Sequence, residues 1–322
     1  MDNSTDFEKL CDLCIHSENT GLIEQELVRI RDVNECDCCG HTPLYYAITR
    51  NLSPEILEVL LKAGSSVTFT SLCDAVIHNR NPLVAIRLFD ILKPLRRDYL
   101  DYLFLLSAAS CTDDVLIRFF IDNGARRDAT IGIDLYPDYD FDDRYEDDTV
   151  PPVLVAQNAL VLALYENPSP KEMIGYLLAN KVDPDFTDSE GHSVLYHALE
   201  DIEIVRLLVE SGARLDQTDN LGKTPLMIAC EGENKEVALY LIEHDEDLDK
   251  MSWESKTALH YALSCHLMSN YEVVASLIAH GADIEVRDGE GHTPVEVAKI
   301  HYAHSAVISL LQKALSEKRV IC

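Results

Sequence analysis

Two stretches of the chain hold side chains whose types and spacing suit chemistry. The first is Cys36-Asp37-Cys38-Cys39-Gly40-His41, with Cys11, Cys14 and His16 upstream; five of the ten cysteines fall within the first 39 residues. Thiols and imidazoles are the donors that tetrahedral zinc takes. Against a zinc site, Cys-x-Cys-Cys matches no zinc module, and Cys11 and Cys14 have the i, i+3 spacing of one helix face. His41 also sits in a recurring motif column with His192 and His292, so it and His260 read as structural. No metal ligand, cofactor or catalytic residue is assigned, and a metal-binding sensor built on this cluster stands as an alternative function.

The second stretch is residues 130–150, where eight acids and one Arg surround Tyr136, Tyr139, Phe141 and Tyr145. Aromatic side chains can anchor an interface and carboxylates can steer a basic surface towards it. The spacing lacks the mid-loop Gly and terminal Glu of a calcium-binding EF-hand loop. A loop of this length inside a compact array is expected to be flexible or functional. Tyr139, Phe141, Asp142, Asp143 and Tyr145 are its candidate partner-binding residues.

Elsewhere no phosphate-cradling Gly loop, nucleophile elbow or His-Glu-x-x-His appears. With 27 basic and 56 acidic residues the chain carries −29, yet 47% of it is hydrophobic, enough for a sizeable core. Such acidity disfavours nucleic-acid phosphate and anionic lipid as direct partners and favours a basic protein surface. The start has neither a basic nor an apolar stretch, and no run approaches 18 apolar residues, so neither secretion nor a membrane span is expected. The scattered cysteines suit reduced thiols in a cytoplasmic, or nuclear, protein.

The elements that would position these residues repeat. Residues 40–47 read Gly-His-Thr-Pro-Leu-Tyr-Tyr-Ala, 191–198 Gly-His-Ser-Val-Leu-Tyr-His-Ala, 222–229 Gly-Lys-Thr-Pro-Leu-Met-Ile-Ala, and 291–298 Gly-His-Thr-Pro-Val-Glu-Val-Ala; Lys256–Ala262 is a looser copy. Thr or Ser can cap a helix whose first position Pro suits. An amphipathic run follows each copy, and Gly64, Gly124, Gly212 and Gly281 stand where it should end. Lys181 and Asp245 take that place elsewhere, where an altered or strained cap is expected. The pattern resembles the ankyrin repeat, a unit of about 33 residues with a β-turn finger and two antiparallel helices.

The resemblance implies an all-α ankyrin-repeat solenoid of about nine units. Residues 1–129 are expected to form an N-terminal block with a degenerate capping unit, 130–150 an acidic–aromatic insert, and 151–322 a C-terminal block of about five units. It also implies protein–protein recognition by a non-enzymatic adaptor, inhibitor or effector, of host or pathogen. In such units the positions after the motif Ala face the groove, which adds Tyr165, Glu166, Glu200, Asp201, Glu231 and Glu233 to the candidates. Trp253, the only tryptophan, falls at a finger tip. A monomer is expected. Residues 151–250 carry −13 and the insert −7, whereas residues 70–129 are neutral and hold Lys93, Arg96, Arg97, Arg126 and Arg127, onto which the insert can fold back. A decoy that imitates nucleic-acid charge to block a partner is a further alternative.

Overall fold

Local sequence sets where the helices begin. Thr42 accepts a hydrogen bond from the Tyr45 amide at 3.2 Å, Thr224 from Met227 at 3.3 Å and Ser193 from Tyr196 at 3.1 Å, so each caps the helix after it. Pro43, Pro225 and Pro294 occupy first-turn positions, where the missing N–H costs nothing. The third unit lacks the Thr-Pro-Leu motif but achieves the same start through a Thr68–Ser71 capping box.

A computed structural model describes residues 3–51, 53–131, 157–232, 234–245, 247–264, 271–301 and 305–321. They fall into two compact units, the first reaching Val182 and the second starting at Asp183. The first contains α1 (Asn3–His16), α2 (Thr20–Leu27), α3 (Pro43–Arg50), α4 (Pro54–Lys62), α5 (Phe69–His78), α6 (Pro82–Leu92), α7 (Arg97–Ser110), α8 (Val115–Asp122), β1 (Thr130–Ile131), β2 (Gln157–Asn158), α9 (Ala159–Glu166) and α10 (Pro170–Ala179). The second contains α11 (Val194–His197), α12 (Ile202–Glu210), α13 (Pro225–Glu231), α14 (Lys235–His244), α15 (Ala258–Ser264), α16 (Tyr271–Ala279), α17 (Pro294–Ile300) and α18 (Ser305–Ile321). The described helices make nine consecutive pairs, the number the repeats imply.

Within each unit the first helix of a pair packs on the first helix of the next, α1–α3–α5–α7–α9 and α11–α13–α15–α17. Second helices stack likewise, α2–α4–α6–α8 and α12–α14–α16–α18. Close approach is possible because the motif Ala residues, among them Ala47, Ala163, Ala198, Ala262 and Ala298, are buried. Phe104 and Phe120 are the largest fully buried side chains of the first unit. In the third pair Leu72, Ala75 and Leu88 are buried as their spacing predicts, while Ile91 lies on the exposed face.

The expected insert leaves and returns at one place. Antiparallel pairing of Thr130 with Asn158 and Ile131 with Gln157 closes its base, and Asn158 caps α9 through the Val161 amide at 3.0 Å. Those paired residues lie immediately ahead of α9. The pair α9–α10, read as the start of the C-terminal block, packs on α7, so the chain on both sides of the insert shares one core.

Gly64, Gly124, Gly212 and Gly281 all have φ between 93 and 107° and close their second helices. Lys181 takes the same left-handed position with φ 63°, whereas Asp245 escapes it in an extended conformation, φ −84°. A side chain in the left-handed region costs about 1–2 kcal/mol, partly offset by the greater freedom of unfolded Gly. Lys181→Gly is therefore expected to stabilise the first unit by about 0.5–1 kcal/mol, read as a higher urea midpoint; a lower midpoint would refute the strain.

Candidate interaction surface

Four finger turns of the second unit share one construction. The amides of Asp188, Asp219, Ser252 and Asp288 each donate to the carbonyl four residues on at 3.0 Å. In the three Asp fingers the carboxylate also accepts two amides inside the turn, for Asp188 those of Glu190 and His192 at 2.9 and 2.8 Å. Adjacent fingers are tied together as well: Asn220 N–H donates to Glu190 O at 3.2 Å, Trp253 N–H to Leu221 O at 3.0 Å, and Gly289 N–H to Glu254 O at 2.8 Å. The fingers thus form a continuous backbone-bonded row whose tips present side chains in fixed order.

Trp253 is 75% exposed on that row, with Leu221 at 58% and Met251 at 50% beside it. One edge of its indole rests on the neighbouring finger. A Cβ added to Gly222, which has φ 74°, would lie 2.6 Å from Trp253 Cδ1, so only Gly admits this arrangement. The indole is anchored by its edge and open on most of its surface. Exposed Glu190, Glu254 and Glu290 occupy the same row of tips.

The remaining sequence candidates occupy different settings. Tyr165, 59% exposed, and Glu166 end α9 in the first unit. Glu200 is exposed in the second unit, whereas Asp201 caps α12, accepting the Glu203 and Ile204 amides at 2.9 and 3.3 Å. Glu231 pairs with Lys223 at 2.6 Å. Glu233, and Tyr139, Phe141, Asp142, Asp143 and Tyr145 of the insert, lie outside the described residues. Four residues of the basic stretch are engaged locally: Arg126 with Asp101 at 2.8 Å, Arg96 with Asp98 at 2.7 Å, Lys93 with Asp90 at 3.0 Å, and Arg127 with the Asn180 carbonyl at 2.8 Å.

Sequence reading missed Leu221 and Met251, although an apolar residue at a turn tip was the available signal. It also missed two cations: Lys223 and Lys256 lie 4.7 and 5.9 Å from the Tyr261 ring centroid, so the surface behind the fingers is not purely acidic.

The N-terminal cysteines divide into two sets. Cys11 and Cys14 are buried on α1, and burial pushes their thiols up to about 11 and about 12, away from the thiolate a metal needs. Cys36, Cys38 and Cys39 are exposed on the first described finger, with the Cys38 and Cys39 sulfurs 3.9 Å apart. There Asp37, Cys39 and His41 place donor atoms within 4.8 Å of one another.

Residues 159–252 and 200–288 match the family model for ankyrin repeats in three copies, and residues 39–72 match that for a single ankyrin repeat. Together these spans take in half of the chain. The chain belongs to the ankyrin-repeat family. It is similar to an ankyrin repeat protein of Variola virus, 31% identical over 127 residues, 36% of this chain and 22% of that protein. A protein fem-1 homolog A-like of Mus musculus is 33% identical over 114 residues, 35% of this chain and 17% of that one. A transient receptor potential cation channel subfamily A member 1 homolog of Caenorhabditis elegans is 28% identical over 237 residues, 71% of this chain and 18% of the channel protein. The chain spans about a fifth of the length of these curated relatives.

Ankyrin repeats mediate protein–protein interaction, and no described helix is long and apolar enough to cross a membrane. In an ankyrin unit the motif His has a structural place, and His260 fills it. Its Nδ1 lies 2.9 Å from Thr257 Oγ1 and its Nε2 is 3.4 Å from the His292 carbonyl of the next finger. Burial holds this imidazole below the ordinary His range, outweighing the His292 carbonyl and Asp288, which act the other way. The folded state therefore prefers the neutral ring. That contribution is complete above the unfolded value of about 6.5 and is lost as pH falls through the lower folded value. Between pH 7 and pH 5 the urea midpoint of the second unit should fall, and His260→Gln should make the fall shallower; equal slopes would exclude His260 as a source.

Proposed function

We propose that this ankyrin chain is a non-enzymatic recognition module, acting as a monomer, that binds a basic protein surface through its fingers, groove and acidic insert. The carrying observation is Trp253, three-quarters exposed and held on a backbone-bonded finger row beside Leu221 and three exposed glutamates. Large exposed aromatics are the commonest source of binding energy at interfaces, and surrounding carboxylates raise the encounter rate with a basic partner. The insert contributes aromatic and acidic side chains of the same chemistry, four aromatics among eight acids. Free thiols at all eight described cysteines suit a reducing compartment such as the cytoplasm. The Variola relative is consistent with a role between pathogen and host.

Affinity capture from cell extract tests this reading, comparing the full chain with a chain lacking 131–150 and with Trp253→Ala. The expected result is a basic protein retained by the full chain, lost progressively with salt, and weakened in both variants. Retention independent of both changes would overturn the site. Competition by DNA or RNA for the captured partner would convert the adaptor into a decoy of nucleic-acid charge.

A further inference from the structure

Among the described fingers, that of Asp188 combines its carboxylate with two imidazoles, His192 and His197. Asp188 is almost wholly buried, and its Oδ2 lies 3.0 Å from His197 Nε2 and 3.5 Å from His192 Nδ1. Glu190 Oε2 lies 3.4 Å from the same His192 nitrogen. A tetrahedral cation bound to nitrogen and oxygen at about 2.0–2.1 Å has donor–donor edges of about 3.3–3.4 Å. These three separations scatter around that edge, and Asp188, His192 and His197 all offer atoms within 4.8 Å of one another. We propose that Asp188, His192 and His197, with Glu190 beside them, bind a divalent first-row cation of the zinc class and clamp this finger to α11.

The donor chemistry agrees. Two imidazoles with carboxylate oxygens suit Zn²⁺, and two carboxylates balance the charge of the ion. Asp188 Oδ1 is taken by the Glu190 and His192 amides, which orient the carboxylate and leave Oδ2 towards the imidazoles. His192 is fixed by stacking on Tyr196 at 3.8 Å between ring centroids.

Related fingers separate this role from ordinary finger packing. In the finger of Asp37 the position of His197 is Tyr46, whose hydroxyl donates to Asp37 Oδ2 at 2.5 Å; a Tyr is enough to bond the carboxylate. The last finger keeps Asp288, Glu290 and His292 but has Val297 in place of the second imidazole. It serves as an incomplete copy that should not hold the ion.

The test uses the full chain titrated with Zn²⁺ against a chromophoric chelator, and with Co²⁺ followed by absorption. His197→Tyr and His192→Lys remove one ligand each while installing residues that fingers of this chain already carry, Tyr46 and Lys223. One equivalent is expected, bound at least about tenfold more weakly in either variant. It should be retained in Cys38→Ser/Cys39→Ser, show no thiolate-to-cobalt band, and raise the melting temperature of the wild type but not of His197→Tyr. Equal melting of His197→Tyr and wild type in chelator is expected if the finger itself stays intact. Binding unchanged in both His variants, binding lost in the Cys variant, or no bound equivalent at all would overturn the proposal.

Discussion

Replacing Asn79 by Ala is expected to destabilise the first unit by about 3 kcal/mol. Asn79 follows α5, is buried, and donates through Nδ2 to Ile48 O at 2.7 Å and Asn51 O at 2.9 Å, both in the preceding pair. Its Oδ1 accepts the Asn81 amide at 2.8 Å, which starts α6. One side chain therefore joins three backbone groups across two helix pairs. Ala strands all three in a site that water cannot readily enter, at about 1 kcal/mol each.

The same clamp recurs at Asn51, bonded to Cys14 O and Ser17 O at 2.9 and 2.8 Å, and at Asn167, bonded to Ala108 O and Cys111 O at 2.8 and 2.7 Å. Because neighbouring pairs stabilise each other in a repeat array, breaking one clamp should also broaden the urea transition. At Asn234 the bonds are longer, 3.1 and 3.2 Å, and reach partly exposed carbonyls, so Asn234→Ala should cost nearer 1 kcal/mol. A loss below that value at Asn79, measured by urea unfolding, would remove the clamp interpretation.

Trp253→Ala is expected to weaken partner binding by about 2–3 kcal/mol, a rise in Kd of roughly 30- to 150-fold. The loss should appear mainly as faster dissociation, since truncation removes contact area without altering long-range charge. Stability should change by less than about 0.5 kcal/mol, because the indole is 75% exposed in the free chain. Replacing Glu190, Glu254 and Glu290 by Gln should act on the other rate: slower association, with a shallower dependence on salt. Surface plasmon resonance with the captured partner separates the two. If Trp253→Ala leaves dissociation unchanged, the indole serves only to cover Gly222.

What was legible in the sequence is what depends on residues close in the chain. Thr and Ser caps, Pro at first turns, apolar residues at helical spacing and Gly at second-helix exits act within a few positions. They were sufficient for nine pairs, for the all-α class and for the strained exit at Lys181. Trp253 at a finger tip followed from its alignment with Asn220. Asp201 shows the same locality from the other side: its bonds to the amides two and three residues on make it a helix cap, which its place before Ile202–Glu210 already signalled.

Contacts between helix pairs were not legible, because they join residues that only stacking brings together. Asn79 reaches acceptors 28 and 31 residues back, and Asn167 reaches 56 and 59 residues back across the insert. Trp253 leans on Gly222 only because the fingers are hydrogen-bonded at that register. His197 meets Asp188 because α11 begins immediately behind its own finger and turns the ring towards the carboxylate. Local periodicity thus determined which elements exist and roughly where they end. Only their packing decided which side chains bridge them, since those bonds depend on positions in space that no short-range preference encodes.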